Sequence, residues 1–119
     1  MEAKEAKEAT AAKEAAAAKK EVAAAVELFV HYAGWSDKYQ ALFSSVNPVG
    51  SPHFNFSMPE PTGVVAAVVP GRTGLLGLSS ALAPILVGGN AGVLLASHEK
   101  PLCAITLAEV LNSSDIPGG

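Results

Sequence analysis

Residues 63–96 read GVVAAVVPGRTGLLGLSSALAPILVGGNAGVLLA, and this stretch decides the fold. Its first part, Gly63-Val64-Val65-Ala66-Ala67-Val68-Val69-Pro70, is a short apolar run rich in valine and bounded by Gly and Pro. Such a run predicts a parallel strand buried on both faces. A glycine-rich turn follows at Gly71-Arg72-Thr73-Gly74. Leu75 to Val87 then has helical character, and Gly88-Gly89-Asn90 suits the stop of that helix. Ala91-Gly92-Val93-Leu94-Leu95-Ala96 reads as a second buried strand. Residues 101–112 read as a second helix. Pro101 fits its first turn, and Cys103, Leu107, Val110 and Leu111 form its apolar stripe. The order β-α-β-α implies parallel strands joined by right-handed crossovers.

Working outward, residues 44–61 are loop-rich, with Pro48, Gly50, Pro52, Pro59 and Pro61. Inside them His53-Phe54-Asn55-Phe56-Ser57-Met58 alternates at period two and predicts a strand at a sheet edge. Further upstream, Val22, Val26, Phe29, Val30 and Ala33 share one helical face. Gly34 marks an interruption or end, although Trp35, Tyr39 and Leu42 allow a continuation. Residues 1–20 differ from all that follows. They are almost wholly Ala, Glu and Lys, the strong helix formers, with Lys4–Glu8 as the one opposite-charge i,i+4 pair. This composition reads as an idealised or engineered helix chosen for propensity, with a natural Ala-rich helix or linker as the alternative. Two segments follow: residues 1–20 as this helix, and residues 21–119 as a partial domain. The fold class is α/β: a small parallel βαβα core, an edge strand or hairpin, and a long N-terminal Ala-rich helix.

Composition narrows the function. The 119 residues suffice for one modest core, and the net charge is -3. No basic stripe with interleaved aromatics occurs, so nucleic acid is not an expected partner. The single cysteine excludes an internal disulfide and fits a reducing, cytoplasmic setting. The charged N-terminus has no signal-peptide pattern. Residues 73–97 carry no charge and could cross a bilayer by length, but Pro84 and Gly88-Gly89-Asn90 divide them, so no membrane span is expected. His31, His53, His98 and Cys103 lack metal-ligand spacing. Gly71, Gly74 and Gly77 give G-x-x-G-x-x-G, which is neither dinucleotide fingerprint nor P-loop. A tight turn with close helix–strand packing explains it better than an anion site, although a helix N-terminus beside Arg72 could attract an anion.

Several stretches together resemble the aldehyde dehydrogenase family. Residues 22–38 (VAAAVELFVHYAGWSDK) are like a family helix ending in Tyr-Ala-Gly-Trp-Ala-Asp-Lys. Residues 59–70 (PEPTGVVAAVVP) are like the first strand of its nucleotide-binding domain. Residues 82–97 (LAPILVGGNAGVLLAS) are like its Leu-Ala-Pro-Ala-Leu-x-x-Gly-Asn turn and second strand, and residues 101–119 are like the helix after it. The resemblance covers residues 21–119. Residues 47–63 (NPVGSPHFNFSMPEPTG) look nearest to family-16-type members, which carry a second, degenerate dehydrogenase domain.

The resemblance implies a Rossmann-like unit with NAD across the carboxyl ends of the strands. It places Val69, Pro70, Gly71, Arg72, Ser97 and His98 at the cofactor. The family's first turn reads Pro-Trp-Asn-Phe-Pro, with the asparagine in the oxyanion hole. Arg72 stands at that asparagine position, and an arginine fork would not keep donors at the required geometry. Where the family has Lys-Pro-Ser-Glu near the adenosine ribose, this chain has Leu95, Ala96, Ser97 and His98. The family's catalytic cysteine and general-base glutamate lie downstream of the matching region, and Cys103 reads as a small buried hydrophobe. The expectation is therefore a non-catalytic scaffold fragment with no catalytic or metal site and no cofactor expected, the alternative being a module with weak NAD affinity. With covering helices partly missing, residues 1–20 are expected to supply some cover. The strand at residues 91–96 is expected to expose an edge, and self-association through apolar surface becomes possible.

Overall fold

A computed structural model describes residues 2–70 and 73–117. The elements are α1 (Glu2–Phe43), β1 (Ser45–Val46), β2 (Phe56–Ser57), β3 (Val64–Val68), α2 (Leu75–Val87), β4 (Ala91–Leu95) and α3 (Pro101–Asn112). β3 and β4 form a parallel two-stranded sheet, and β1 and β2 an antiparallel hairpin. The molecule is thus mixed helix and sheet, with the parallel β-α-β order that the valine and glycine punctuation predicts.

α1 runs 42 residues without a break, about 63 Å at 1.5 Å per residue. It passes through residue 20 and through Gly34, where a Cβ would meet nothing within 4 Å. No packing demand opposes the helix there, and one glycine costs a long helix only about 1 kcal/mol. Residues 4–20 are exposed throughout, so they do not cover the sheet as expected; they project from the body, and the molecule measures 85 × 26 × 21 Å. The second half of α1 lies on α2. Its inward face also differs from the expected valine stripe. Ala25 is buried, whereas Val22, Val26 and Val30 are at least half exposed. Ala25 is the buried residue of α1, and α2 buries Leu78, Ser79, Leu82 and Ala83. Small residues let two helix backbones approach closely, and a valine at position 25 would hold them apart.

The sheet corrects another expectation. β3 alternates exposed and half-buried residues, so the strand is not doubly buried. Gly92 of β4 faces α2, since a Cβ on it would lie 3.2 Å from Leu82 Cδ1. Its register partner Val65 and the next pair, Ala67 and Leu94, share that face by the period of two. Val64, Val68, Val93 and Leu95 lie on the other face, each at least 60% exposed. A two-stranded sheet with a single helical layer has only one buried face. α3 leans on α2 rather than crossing to the open side. Cys103, Leu107 and Leu111 are only half-buried and Val110 is exposed, so Cys103 is not the fully buried hydrophobe expected: α3 has one helix, rather than a complete layer, against it.

The expected strand over residues 53–58 shortens to the pair Phe56–Ser57, against Ser45–Val46. Asn47 fastens it: its Nδ2 donates to Asn55 Oδ1 at 2.7 Å and to Ser57 Oγ at 2.9 Å. At the amino end of the separate β3–β4 sheet Asn90 performs a similar task. Its Oδ1 accepts from the Gly63 N–H at 3.0 Å, and its Nδ2 reaches the carbonyls of Ile85 and Gly88. Gly89, at φ +72°, provides the left-handed residue that turns the chain out of α2. The end of α2 is thereby tied to the start of β3. Among the described residues, no helix is long and apolar enough to cross a membrane.

Candidate functional site

Parallel pairing sets Val68 beside Leu95, so the chain leaves both strands at the same end of the sheet. The turns carrying the expected cofactor residues therefore meet at the carboxyl edge. Val69 is 4% exposed, and its N–H donates to the Leu95 carbonyl at 3.0 Å, which extends the ladder one residue past β3. Pro70 is exposed, and its carbonyl accepts from the Thr73 N–H at 3.1 Å and from Thr73 Oγ1 at 2.7 Å. Gly71 and Arg72 lie outside the described residues. Ser97 is buried, and its Oγ accepts from the Glu99 N–H at 3.1 Å, whereas His98 is exposed. The topology thus brings Val69, Pro70, Ser97 and His98 to one end.

The N-terminus of α2 opens at this same end. Its N-cap residue is Gly74, which has no side chain to accept from the first-turn N–H groups, and that turn holds no acidic residue. Such a terminus carries partial positive charge and unsatisfied donors. The acceptor comes instead from α1: the Leu76 N–H donates to Glu21 Oε1 at 3.1 Å. A Cβ on Gly74 would sit 2.6 Å from that oxygen, so the carboxylate fits because residue 74 is glycine. Gly77 is similarly filled, by the Thr73 side chain. The glycine spacing therefore serves close packing around a turn. Glu21 escaped sequence reasoning because its partner is 55 positions away. A helix start lacking both a capping side chain and an acidic first turn was the available signal.

Two cavities flank α2. One, of about 690 Å³, lies between Leu82, Leu86, Asn90, Leu111 and Ile116, near the amino end of β4 and away from the turns just described. The other, of about 500 Å³, is a groove between α1, α2 and α3 lined by Val22, Phe29, Leu75, Leu102, Cys103 and Leu107, among others. Cys103 is a free thiol, half-buried there, and among the described residues no His, Lys or carboxylate lines the groove. A thiol is activated by a neighbouring base, a cation or a helix N-terminus; Cys103 lies in the first turn of α3, so the base needed for covalent catalysis is what its surroundings lack among the described residues. Ser79, fully buried, also borders this groove, and its Oγ has no hydrogen-bond partner. Among the described residues, no three His, Cys, Asp or Glu side chains gather as metal ligands would.

The comparisons agree with this architecture. The chain is 33% identical over 89 residues to the mitochondrial aldehyde dehydrogenase of Sus scrofa, covering 75% of this chain and 16% of that protein. It is 32% identical over 94 residues to the mitochondrial benzaldehyde dehydrogenase of Antirrhinum majus, covering 79% and 17%. Against retinal dehydrogenase 2 of Homo sapiens it is 31% identical over 94 residues, covering 79% and 18%. The chain thus spans about a sixth of the length of these relatives. The family model described as "Aldehyde dehydrogenase family" matches residues 2–119, so its match takes in the Ala-rich half of α1 as well. By that match, and with the parallel β-α-β unit it covers, this chain belongs to the aldehyde dehydrogenase family.

Proposed function

We propose that this chain is a non-catalytic, partial Rossmann-like piece of an aldehyde dehydrogenase cofactor-binding domain, engineered or truncated, with a structural role. One observation carries the reading: the only thiol, Cys103, sits in an apolar groove with no base or cation among the described residues that line it. Arg72 at the family's asparagine position supports it further, since an oxyanion hole tolerates little displacement of its donors. The Ala/Glu/Lys composition of residues 1–20, filled for propensity, favours an engineered helix. A free thiol suits a reducing compartment such as the cytoplasm. The open sheet face bearing Val64, Val68, Val93 and Leu95 favours self-association. An aldehyde- and NAD-dependent reduction assay on the full chain tests the central claim. Turnover above the uncatalysed rate, lost in Cys103→Ala, would overturn it.

The second reading is a minimal module that binds NAD weakly. It is favoured by the two strands ending at one edge, where family cofactor contacts fall. Val69, Pro70, Gly71, Arg72, Ser97 and His98 are the residues in question. Calorimetric titration to roughly millimolar NAD, beside Arg72→Ala, decides it, since binding at that level amounts to only about 4 kcal/mol. Heat that saturates in the parent and vanishes in Arg72→Ala supports the module; no heat removes it.

A further inference from the structure

The start of α2 lacks a local cap yet is not left open. Gly74 offers no side chain, and the first turn contains no acid. The acceptor at the Leu76 N–H is the Glu21 carboxylate, delivered from another helix at 3.1 Å. Glu21 is half-buried between α1 and the turn. A carboxylate presents the same acceptor oxygens and the same negative charge that a phosphate would bring to a helix N-terminus. The two cannot occupy one N–H together. We propose that Glu21 is a built-in ligand of this turn, an internal anion that latches α1 to α2 and keeps the α2 N-terminus closed to external phosphate. The inference stands on the geometry of Glu21, Gly74 and Leu76, independently of whether NAD binds.

The latch has two halves that can be removed separately. Glu21→Ala deletes the carboxylate and puts the best helix former into α1. Gly74→Ala keeps the carboxylate but places a Cβ 2.6 Å from Oε1. The flexible end of the glutamate then has to swing off the turn. In either variant, amide exchange at Leu76 is expected to accelerate about tenfold, as loss of a cap implies. Leu82, buried in the middle of α2, serves as the internal control.

The second readout is the thermal midpoint in inorganic phosphate against chloride of matched ionic strength. The parent is expected to show no phosphate-specific rise, because its turn is already occupied. Both variants are expected to show a rise that saturates. Unchanged exchange at Leu76 in Glu21→Ala overturns the proposal, as does a parent that responds to phosphate like the variants. If Glu21→Ala fails to fold, Gly74→Ala decides alone by the same two measurements. A phosphate response in Glu21→Ala without NAD heat supports the latch while removing the dinucleotide reading.

Discussion

Replacing Ser79 by alanine is expected to make this protein more stable, against the usual direction for a core substitution. Ser79 is the most deeply buried side chain described, at 0% exposure, and its hydroxyl has no hydrogen-bond partner. A buried hydroxyl without a partner forfeits its hydration for about 1–3 kcal/mol. Removing it returns that cost. Alanine also gains roughly 0.5 kcal/mol of helix propensity within α2. Against these stands the small void left by one oxygen, on the order of 0.5 kcal/mol at about 24 cal/mol per Å³. The balance favours Ser79→Ala by about 1–3 kcal/mol. Urea denaturation followed by far-UV circular dichroism measures it. Ser80→Ala is the control: Ser80 is exposed and its Oγ donates to the Leu76 carbonyl at 2.7 Å, so it has no desolvation cost to recover. A Ser79→Ala variant less stable than the parent would overturn this expectation. It would mean that the hydroxyl is satisfied in solution and that the contact is worth more than the void and the propensity together.

Three further outcomes follow from contacts already described. Asn90→Ala should cost about 1–2 kcal/mol, since it removes the 3.0 Å bond from Gly63 and two longer ones to the end of α2; thermal unfolding reads this directly. Gly89→Ala should cost about 1–2 kcal/mol in the same assay, from its left-handed backbone at φ +72° and a new Cβ 2.9 Å from Pro61 Cγ. Val68→Lys, on the open face at 77% exposure, should leave stability within about 0.5 kcal/mol while weakening any concentration-dependent association in sedimentation velocity. Association of unchanged strength would show that the open face is not the contact.

The elements that sequence reading located best are those fenced by breakers. α2 and α3 begin and end where Gly74, Gly88, Pro101 and the residues after Asn112 permit, because a missing Cβ or a fixed φ acts locally. β3 and β4 were legible for the same reason. What failed depended on partners far away in sequence. The valines of α1 look like a buried stripe, yet the close crossing with α2 favours Ala25, and size rather than hydrophobicity decides that contact. Double burial of the strands presumes a second helical layer, which the described residues do not place against Val64 or Leu95. At the candidate site, the strand ends were legible from topology, while the glutamate that fills the turn was not. Nothing local to Gly74 names a residue on α1.

The free half of α1 has a hydrodynamic consequence. A compact chain of this length would have a radius of gyration of about 13.5 Å, but here it is 20.3 Å. A rod projecting from a small body meets more friction and tumbles more slowly than its mass implies. On a sizing column calibrated with globular standards, one copy will elute where a compact dimer belongs. Mass from light scattering, rather than elution volume, is therefore the quantity that can tell a solitary chain from an associated pair.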